Sequence, residues 1–124
     1  MGAQPKSLRD LSAWQEAMKL VQVVYVSSQH FPKAEQFGRC MQMRRCAVPI
    51  PSNIAEGAAR GTSREFAHHL SIALGSLAEL DTQIELAQQL GFIAEHDAMR
   101  SQQVSTAKLV TKLRQSILAR ISDH

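Results

Sequence analysis

The chain has 124 residues, of which 44% are hydrophobic, 5% aromatic and 20% charged, and its formal net charge at pH 7 is +3. This length predicts one domain, spanning residues 1–124, with one hydrophobic core. No apolar run reaches the roughly 20 residues that a membrane-spanning helix needs. The two cysteines, Cys40 and Cys46, would point to nearly opposite sides of a helix, which excludes a disulfide between them and favours a cytoplasmic protein with reduced thiols.

We expect a flexible tail over residues 1–7 and a first helix from about Leu8 to Ser28. The apolar residues of this helix recur at steps of three and four, which indicates one buried stripe: Leu8, Leu11, Trp14, Met18, Val21 and Tyr25. Trp14 is the only tryptophan, and we interpret it as an anchor in the core or between subunits rather than as a ligand-binding residue.

A second helix is expected from about Lys33 to Gly61, interrupted by two prolines. Pro49 and Pro51 have no N–H to donate, and the residue before each proline is pushed away from helical angles. The apolar stripe nevertheless keeps its phase across the prolines: Met43, Ala47, Ile50, Ile54 and Ala58. We therefore predict one continuous, Pro-kinked helix, which Gly61 terminates.

The kink frees the carbonyls of Arg45 and Ala47, and these need hydrogen-bond partners. Ser52, Asn53, water or a neighbouring subunit are the candidates. We predict a structural and assembly role for five residues, one in the first helix and four in this one: Trp14, Pro51, Asn53, Glu56 and Gly57.

Two further helices complete the predicted fold. Thr62 and Glu65 form a capping box at the start of the third, and Gly91 ends it as a left-handed cap. The fourth runs from about Glu95 to Ile121, with acids near its start and cations towards its end. Short connections between long helices predict an all-α, antiparallel up-down-up-down four-helix bundle.

Charge is segregated along the chain. Residues 39–64 contain five arginines and one glutamate, whereas residues 65–99 contain six acids and neither lysine nor arginine. Five arginines are therefore candidates for binding phosphates of RNA or DNA, namely Arg39, Arg44, Arg45, Arg60 and Arg64, and the last quarter of the chain adds Lys108, Lys112, Arg114 and Arg120. Antiparallel packing would instead pair some cations with acids: Glu79 with Arg44 or Arg45, and Glu85 with Arg39 or Arg100.

Catalytic and metal-binding interpretations find less support in the sequence. Glu56 has Arg60 four residues later, which favours an ion pair over a general base. Glu65 and His68 have the Glu-x-x-His spacing of di-iron bundles, but such sites repeat the motif on a second helix and this chain does not. We therefore predict a protein that is not an enzyme and that needs no metal or cofactor.

Several strings of residues resemble one known family. They include Phe31-Pro32, Gln42–Val48, Ile50-Pro51-Ser52-Asn53-Ile54-Ala55-Glu56-Gly57 and Ala73–Leu80. These are similar to the small four-helix-bundle proteins encoded in intervening sequences of bacterial 23S rRNA genes, often labelled the S23 ribosomal protein family. The likeness covers residues 8–93, and the Ile50–Gly57 string is highly specific.

The resemblance implies a kinked bundle that assembles into a ring, typically a pentamer, with no established enzymatic activity. A related group serves as the accessory subunit of diversity-generating retroelements and binds nucleic acid and a reverse transcriptase, so a nucleic-acid-processing protein is a further candidate partner. Pro49 and Ala94 depart from the family pattern, which indicates a less regular kink and a frayed start to the fourth helix.

Two hypotheses of different class remain at the level of sequence. The first is a self-assembling accessory protein that binds RNA or DNA through its arginines. The second is a protein-interaction or scaffold module that binds no nucleic acid. A third, a metal-containing bundle enzyme, would require a bound metal ion.

Overall fold

The computed structural model describes Leu8 and residues 11–122, so the predicted flexible tail at residues 1–7 lies outside the described residues. It contains five α-helices: α1 (Ser12–Ser28), α2 (Arg39–Ala47), α3 (Pro49–Ala59), α4 (Ser63–Gln89) and α5 (Ala98–Ser122). A short 3-10 turn spans Lys33–Glu35. No strand occurs among the residues described, which confirms the all-α class. The first helix begins at Ser12 rather than near Leu8, and α2 with α3 takes the place of the predicted second helix, beginning at Arg39 rather than near Lys33.

The junction between α2 and α3 differs from the expectation. Val48 keeps right-handed helical angles (φ −58°, ψ −41°), although the proline that follows it was expected to push it away from them. Its N–H donates to the carbonyl of Arg44 at 3.1 Å, and its own carbonyl accepts from the N–H of Ser52 at 3.4 Å. The chain therefore passes from one helix to the next without leaving the helical region of backbone space.

The side chains after the junction also bond to other carbonyls than predicted. Ser52 Oγ donates to the carbonyl of Val48 at 3.0 Å, and Asn53 Nδ2 donates to the carbonyl of Pro49 at 2.9 Å. Each reaches back four residues along its own helix, so neither satisfies the carbonyls that the prolines free.

The ends of α4 agree with the sequence. Thr62 caps its start, because its hydroxyl accepts the N–H of Glu65 at 3.2 Å. The described residues show this half of the predicted capping box and not the reciprocal bond from the Thr62 N–H to the Glu65 carboxylate. At its other end Gly91 has a φ of 78°, in the left-handed region that favours glycine, and Phe92 N–H donates back to the carbonyl of Ala87 at 2.9 Å. Gly61, with a φ of 88°, ends the preceding segment in the same way.

α5 begins at Ala98, three residues later than predicted, and a side chain caps its start. The Asp97 carboxylate accepts the N–H of Met99 at 2.8 Å and the hydroxyl of Ser27 at 3.2 Å. Asp97 thereby supplies the cap that Ala94 lacks, and it ties the start of α5 to the end of α1.

The core lies between the helices, with α4 packed against α2, α3 and α5, and α1 packed against α2, α3 and α5. Its fully buried large side chains come from every helix: Leu20, Val24, Met43, Ile50, Ile54, Leu70, Leu77, Leu80, Ile84, Met99, Val110 and Ile117. None of the described helices combines the length and apolar content needed to span a membrane.

Polar contacts across the helices follow a regular order. On α5, Arg100 contacts Asp81, Gln103 Nε2 donates to the carbonyl of Leu77 at 3.1 Å, and Arg114 Nε donates to the carbonyl of Ala67 at 3.2 Å. Later residues of α5 thus meet earlier residues of α4. On the α1 side, Gln102 Nε2 and Thr106 Oγ1 donate to the carbonyl of Glu16 at 3.1 and 3.3 Å.

Candidate functional site

The five predicted phosphate-binding arginines do not form one patch. Arg39, Arg44 and Arg45 belong to α2, whereas Arg60 directly follows α3 and Arg64 lies in the first turn of α4. Fifteen residues separate Arg45 from Arg60, which at 1.5 Å per residue corresponds to about 22 Å along the two helices. Each group therefore has its own surroundings.

In the α2 group, two arginines are held by their own chain. Arg39 Nε lies 3.4 Å from Glu35 Oε1. Arg44 stacks over the ring of Tyr25, with its guanidinium carbon 4.5 Å from the ring centroid, and its Nε donates to Ser28 Oγ at 3.1 Å. Arg45 is exposed and has no ion pair with any described residue. Arg45 is consequently the α2 arginine that is available to an external anion.

Two acids of α4, Glu79 and Glu85, were predicted to pair with arginines, and only Glu85 does so. Glu79 accepts a hydrogen bond from the Cys46 thiol at 3.5 Å rather than pairing with Arg44 or Arg45. Glu85 pairs with Arg100 at 3.0 Å, as one of the two alternatives predicted, and not with Arg39. The same Arg100 contacts Asp81 and donates to Gln88 Oε1 at 3.2 Å.

Next to Arg45, residues of α1, α2 and α3 form an open groove of about 390 Å³, which we name the α1–α2 groove. It is lined by Tyr25, Met41, Arg44, Arg45, Val48 and Pro49. Three of these residues are exposed apolar or aromatic side chains, namely Tyr25, Met41 and Val48. The groove thus combines apolar surface with positive charge.

A polar cluster occupies the contact between α3 and α4. Arg60 Nη2 pairs with Glu56 Oε2 at 2.6 Å, and its Nη1 lies 4.0 Å from Glu65 Oε2. The ion pair predicted between Glu56 and Arg60 is thus present, and it lies at the surface, because the Glu56 side chain is 51% exposed. The hydrogen bond from Arg60 lowers the pKa of the Glu56 carboxyl, and the electrostatic effect of the nearby His69 lowers it further.

His69 is the member of this cluster that the sequence did not single out. Its Nδ1 lies 3.2 Å from Asn53 Oδ1, and its Nε2 lies 3.9 Å from Glu56 Oε2. Its side chain is only 13% exposed, so it connects the two α3 residues beneath the surface. Only the pairing of α3 with α4 brings these residues together, and that pairing is a tertiary feature.

Gly57 permits this close approach of the helices. A Cβ atom at Gly57 would lie 2.8 Å from Cβ of His69 and 3.0 Å from Cδ1 of Phe66. Pro51 is buried on the same helix, and Trp14 packs, partly buried, against the hydrophobic core. These positions fit a structural role for all three residues.

The surface beside the cluster is an open depression of about 430 Å³, which we name the α3–α4 depression. It is lined by Arg60, Arg64, Glu65, His68 and His69. Arg64 and His68 are exposed, and neither has an ion pair with the described residues. Within the described residues, no three histidine, cysteine or acidic side chains come together as a metal site requires.

Both thiols are unsuited to nucleophilic attack. Burial raises the pKa of Cys40, whose Sγ donates to the carbonyl of Ser28 at 3.3 Å. Burial and the carboxylate of Glu79 raise the pKa of Cys46 to about 11. A thiol in this condition is protonated at neutral pH, and the thiolate is the reactive form.

Fold and site together define a small all-α protein with a polar cluster between two helices and two separate groups of arginines. The chain belongs to the family of 23S rRNA-intervening sequence proteins, whose model matches residues 9–113. It is similar to the crystal structure of a protein of unknown function from the S23 ribosomal protein family of Bacteroides thetaiotaomicron. The two chains share 20% sequence identity with a TM-score of 0.63, over 88% of this chain and 97% of the other, a likeness that shows the fold alone. None of the curated proteins matches the chain.

Proposed function

We propose that this protein is a non-enzymatic, self-associating accessory protein that binds RNA or DNA in the cytoplasm. The observation that carries the proposal is a set of exposed cations without an ion pair to described residues: Arg45, Arg64, Lys108, Lys112 and Arg120. Acids that could have neutralised them are engaged elsewhere, as with Asp81 and Glu85 on Arg100. Unpaired exposed cations are the groups that release counterions when they meet phosphates.

The arrangement of helices that we propose next would bring most of these cations to one end of the bundle. We propose an antiparallel up-down bundle in which α2 and α3 form one element bent at Val48. The order of the α4–α5 contacts supports it, since Arg114 reaches Ala67 while Arg100 reaches Asp81. In that arrangement Arg64 lies beside the second half of α5, which carries the unpaired Lys112 and Arg120, and the acids paired with Arg100 lie at the opposite end.

Self-association is the second part of the proposal, and membership of the family supports it. Exposed apolar side chains line the α1–α2 groove, and contact with a neighbouring subunit would remove them from water. By resemblance to the family, we propose a closed ring, typically of five subunits. Such a ring would repeat each cation group around its axis, so several weak phosphate contacts would add up to higher affinity.

The absence of enzymatic activity is proposed from the chemistry of the candidate groups. The two cysteine thiols are protonated at neutral pH, as described above. Glu56 is paired with Arg60, and its pKa is lowered, so it is a poor general base at neutral pH.

The nucleic-acid proposal is tested by fluorescence anisotropy with labelled single-stranded RNA and DNA of equal length at low salt. We expect binding by the wild type and a clear loss of affinity in the double variant Arg45→Gln/Arg64→Gln. Lys19→Gln is the matched control, because it removes an exposed cation that is paired with Glu16 at 2.9 Å on α1. Absence of binding by the wild type at low salt would overturn the proposal.

A scaffold module without nucleic-acid binding is the second candidate, and the α1–α2 groove is the observation that favours it. Sedimentation velocity on Met41→Glu tests whether this groove carries self-association. Ile72→Glu is the control, since Ile72 is 41% exposed on α4 and Met41 is 37% exposed. We expect only Met41→Glu to dissociate the oligomer. Dissociation combined with no binding of any nucleic acid by the wild type would favour the scaffold over the accessory protein.

A further inference from the structure

The α3–α4 depression presents several hydrogen-bond donors that the fold does not use. Arg64 has no hydrogen bond or ion pair to the described residues. Arg60 gives Nη2 to Glu56, but its Nη1 is 4.0 Å from Glu65, beyond hydrogen-bond distance. His68 contacts His69 edge-on, with ring centroids 5.6 Å apart. The depression lies beside the first turn of α4, where the helix dipole adds partial positive charge.

The hydrogen bonds of Asn53 determine which nitrogen of His69 carries the proton. Asn53 Nδ2 donates to the carbonyl of Pro49 at 2.9 Å, and a carbonyl oxygen can only accept. The amide oxygen of Asn53 therefore faces His69 Nδ1 at 3.2 Å, and it too can only accept. Neutral His69 must consequently carry its proton on Nδ1, which leaves Nε2 with a lone pair.

This lone pair faces a carboxylate. His69 Nε2 lies 3.9 Å from Glu56 Oε2, the same oxygen that Arg60 holds at 2.6 Å. When Nε2 is unprotonated, it offers Glu56 no donor, and Glu56 bonds to Arg60. When Nε2 is protonated, His69 becomes a cation that competes with Arg60 for Glu56. Arg60 is then freer to bind another anion.

We propose that the α3–α4 depression binds a phosphate group through Arg60, Arg64 and His68, and that protonation of His69 strengthens this binding by drawing Glu56 away from Arg60. The charged and titratable groups around His69 are Glu56 on α3 and Arg60 directly after it, together with Arg64, Glu65 and His68 on α4. On α5, Arg114 Nε donates to the carbonyl of Ala67, the residue directly before His68. The site rests on the proposed nucleic-acid function only for the source of the phosphate, which is either a strand terminus or a small phosphate compound.

The site is tested with inorganic phosphate, followed by NMR of the histidine rings and by calorimetry. We expect phosphate to shift the ring resonances of His68 and His69, and Arg64→Gln to raise the dissociation constant about ten-fold, equivalent to 1.4 kcal/mol. Lys19→Gln, which removes an exposed cation paired with Glu16 on α1, should leave it unchanged. Circular dichroism verifies that each variant is folded. Equal weakening by both variants, or no shift of either ring, would overturn the site.

The role of His69 is tested with sulfate, which has the same shape as phosphate and stays doubly charged between pH 7.5 and 5.5. Histidines change charge within this range. We expect sulfate to bind more tightly at the lower pH, and to gain less in His69→Asn, which keeps a donor in the place of Nδ1 for Asn53 but cannot become a cation. The same gain in the wild type and in His69→Asn would overturn the proposed competition for Glu56.

The source of the phosphate is distinguished with RNA that carries either a 5′-phosphate or a 5′-hydroxyl. Tighter binding of the phosphorylated strand by the wild type, but not by Arg64→Gln, supports a strand terminus as the ligand. Equal binding of both strands, together with binding of inorganic phosphate, supports a small phosphate compound. If RNA binds but phosphate produces no effect in any of these assays, the inference fails while the proposed function stands.

Discussion

Replacing Gly57 with alanine tests the close contact between α3 and α4. The added Cβ would lie 2.8 Å from Cβ of His69, which is fixed to its backbone and cannot rotate away, and 3.3 Å from the carbonyl oxygen of Phe66. Forcing extra volume into a packed contact destabilises a protein by about 1–3 kcal/mol. Alanine also stabilises a helix by about 1 kcal/mol relative to glycine, which offsets part of that loss.

Gly75 provides the matched control for this substitution. It lies within α4, and a Cβ there would meet no atom within 4 Å. Gly75→Ala should therefore gain the helix propensity alone, so the difference between the two variants isolates the overpacking of about 1–3 kcal/mol. At about 4 °C per kcal/mol for a chain of this size, Gly57→Ala should melt about 4–12 °C below Gly75→Ala. Thermal unfolding followed by circular dichroism measures this, and equal melting temperatures would refute the close contact.

Three further predictions concern caps, charge and thiols. Asp97→Ala should lower stability to denaturant by about 1 kcal/mol through loss of the α5 cap, whereas Glu95→Ala, two residues earlier, should not; equal effects would contradict the cap. Arg100→Gln should cost about 1 kcal/mol or less, because its acid partners are about half exposed, and the loss should shrink in high salt. Because the pKa of Cys46 is raised to about 11, the folded state holds this proton more tightly than the unfolded chain. The free energy of unfolding of the wild type should therefore fall as the pH rises from about 9 towards 11. The fall should be smaller in Cys46→Ala, and urea titration at each pH measures it.

Features fixed by local chemistry could be predicted from the sequence. The Thr62 cap and the left-handed glycines at 61 and 91 depend on a few neighbouring residues, and the structure has all of them. The apolar periodicity also located the helices, and it found the buried positions Met43, Ala47, Ile50 and Ile54. In α1 it selected the wrong stripe, because the predicted Met18 and Tyr25 are exposed. The residues of α1 that the core buries are Ala13, Ala17, Leu20 and Val24. The start of α5 was misplaced by three residues because Asp97, rather than a residue at position 94, supplies the cap.

The junction at Val48 could not be predicted, because two effects oppose each other there. Local sterics disfavour helical angles before a proline. Burial of Ile50, Pro51 and Ile54 on the core side favours continuing the helix, and Val48 has helical angles in the structure. The sequence reveals the first effect but not the strength of the second.

The candidate site was predictable only in its composition. The five arginines were visible in the sequence, but their partners depend on which helix lies opposite. Arg44 is held by Tyr25 and Ser28, and neither is an acid that a charge pattern would indicate. His69 joined the cluster because Gly57 lets α4 approach α3, a relation between positions 12 residues apart on two helices.

The salt dependence of RNA binding tests the central claim most directly. For the wild type, the logarithm of the association constant should fall linearly with the logarithm of salt concentration, with a slope of about −0.7 for each phosphate contacted on a single strand. In Arg64→Gln this slope should be shallower by about 0.7, through the loss of one contact. Lys19→Gln should reproduce the wild-type slope. Failure of the wild type to bind RNA or DNA at low salt, or an Arg64→Gln slope equal to that of the wild type, would contradict the account.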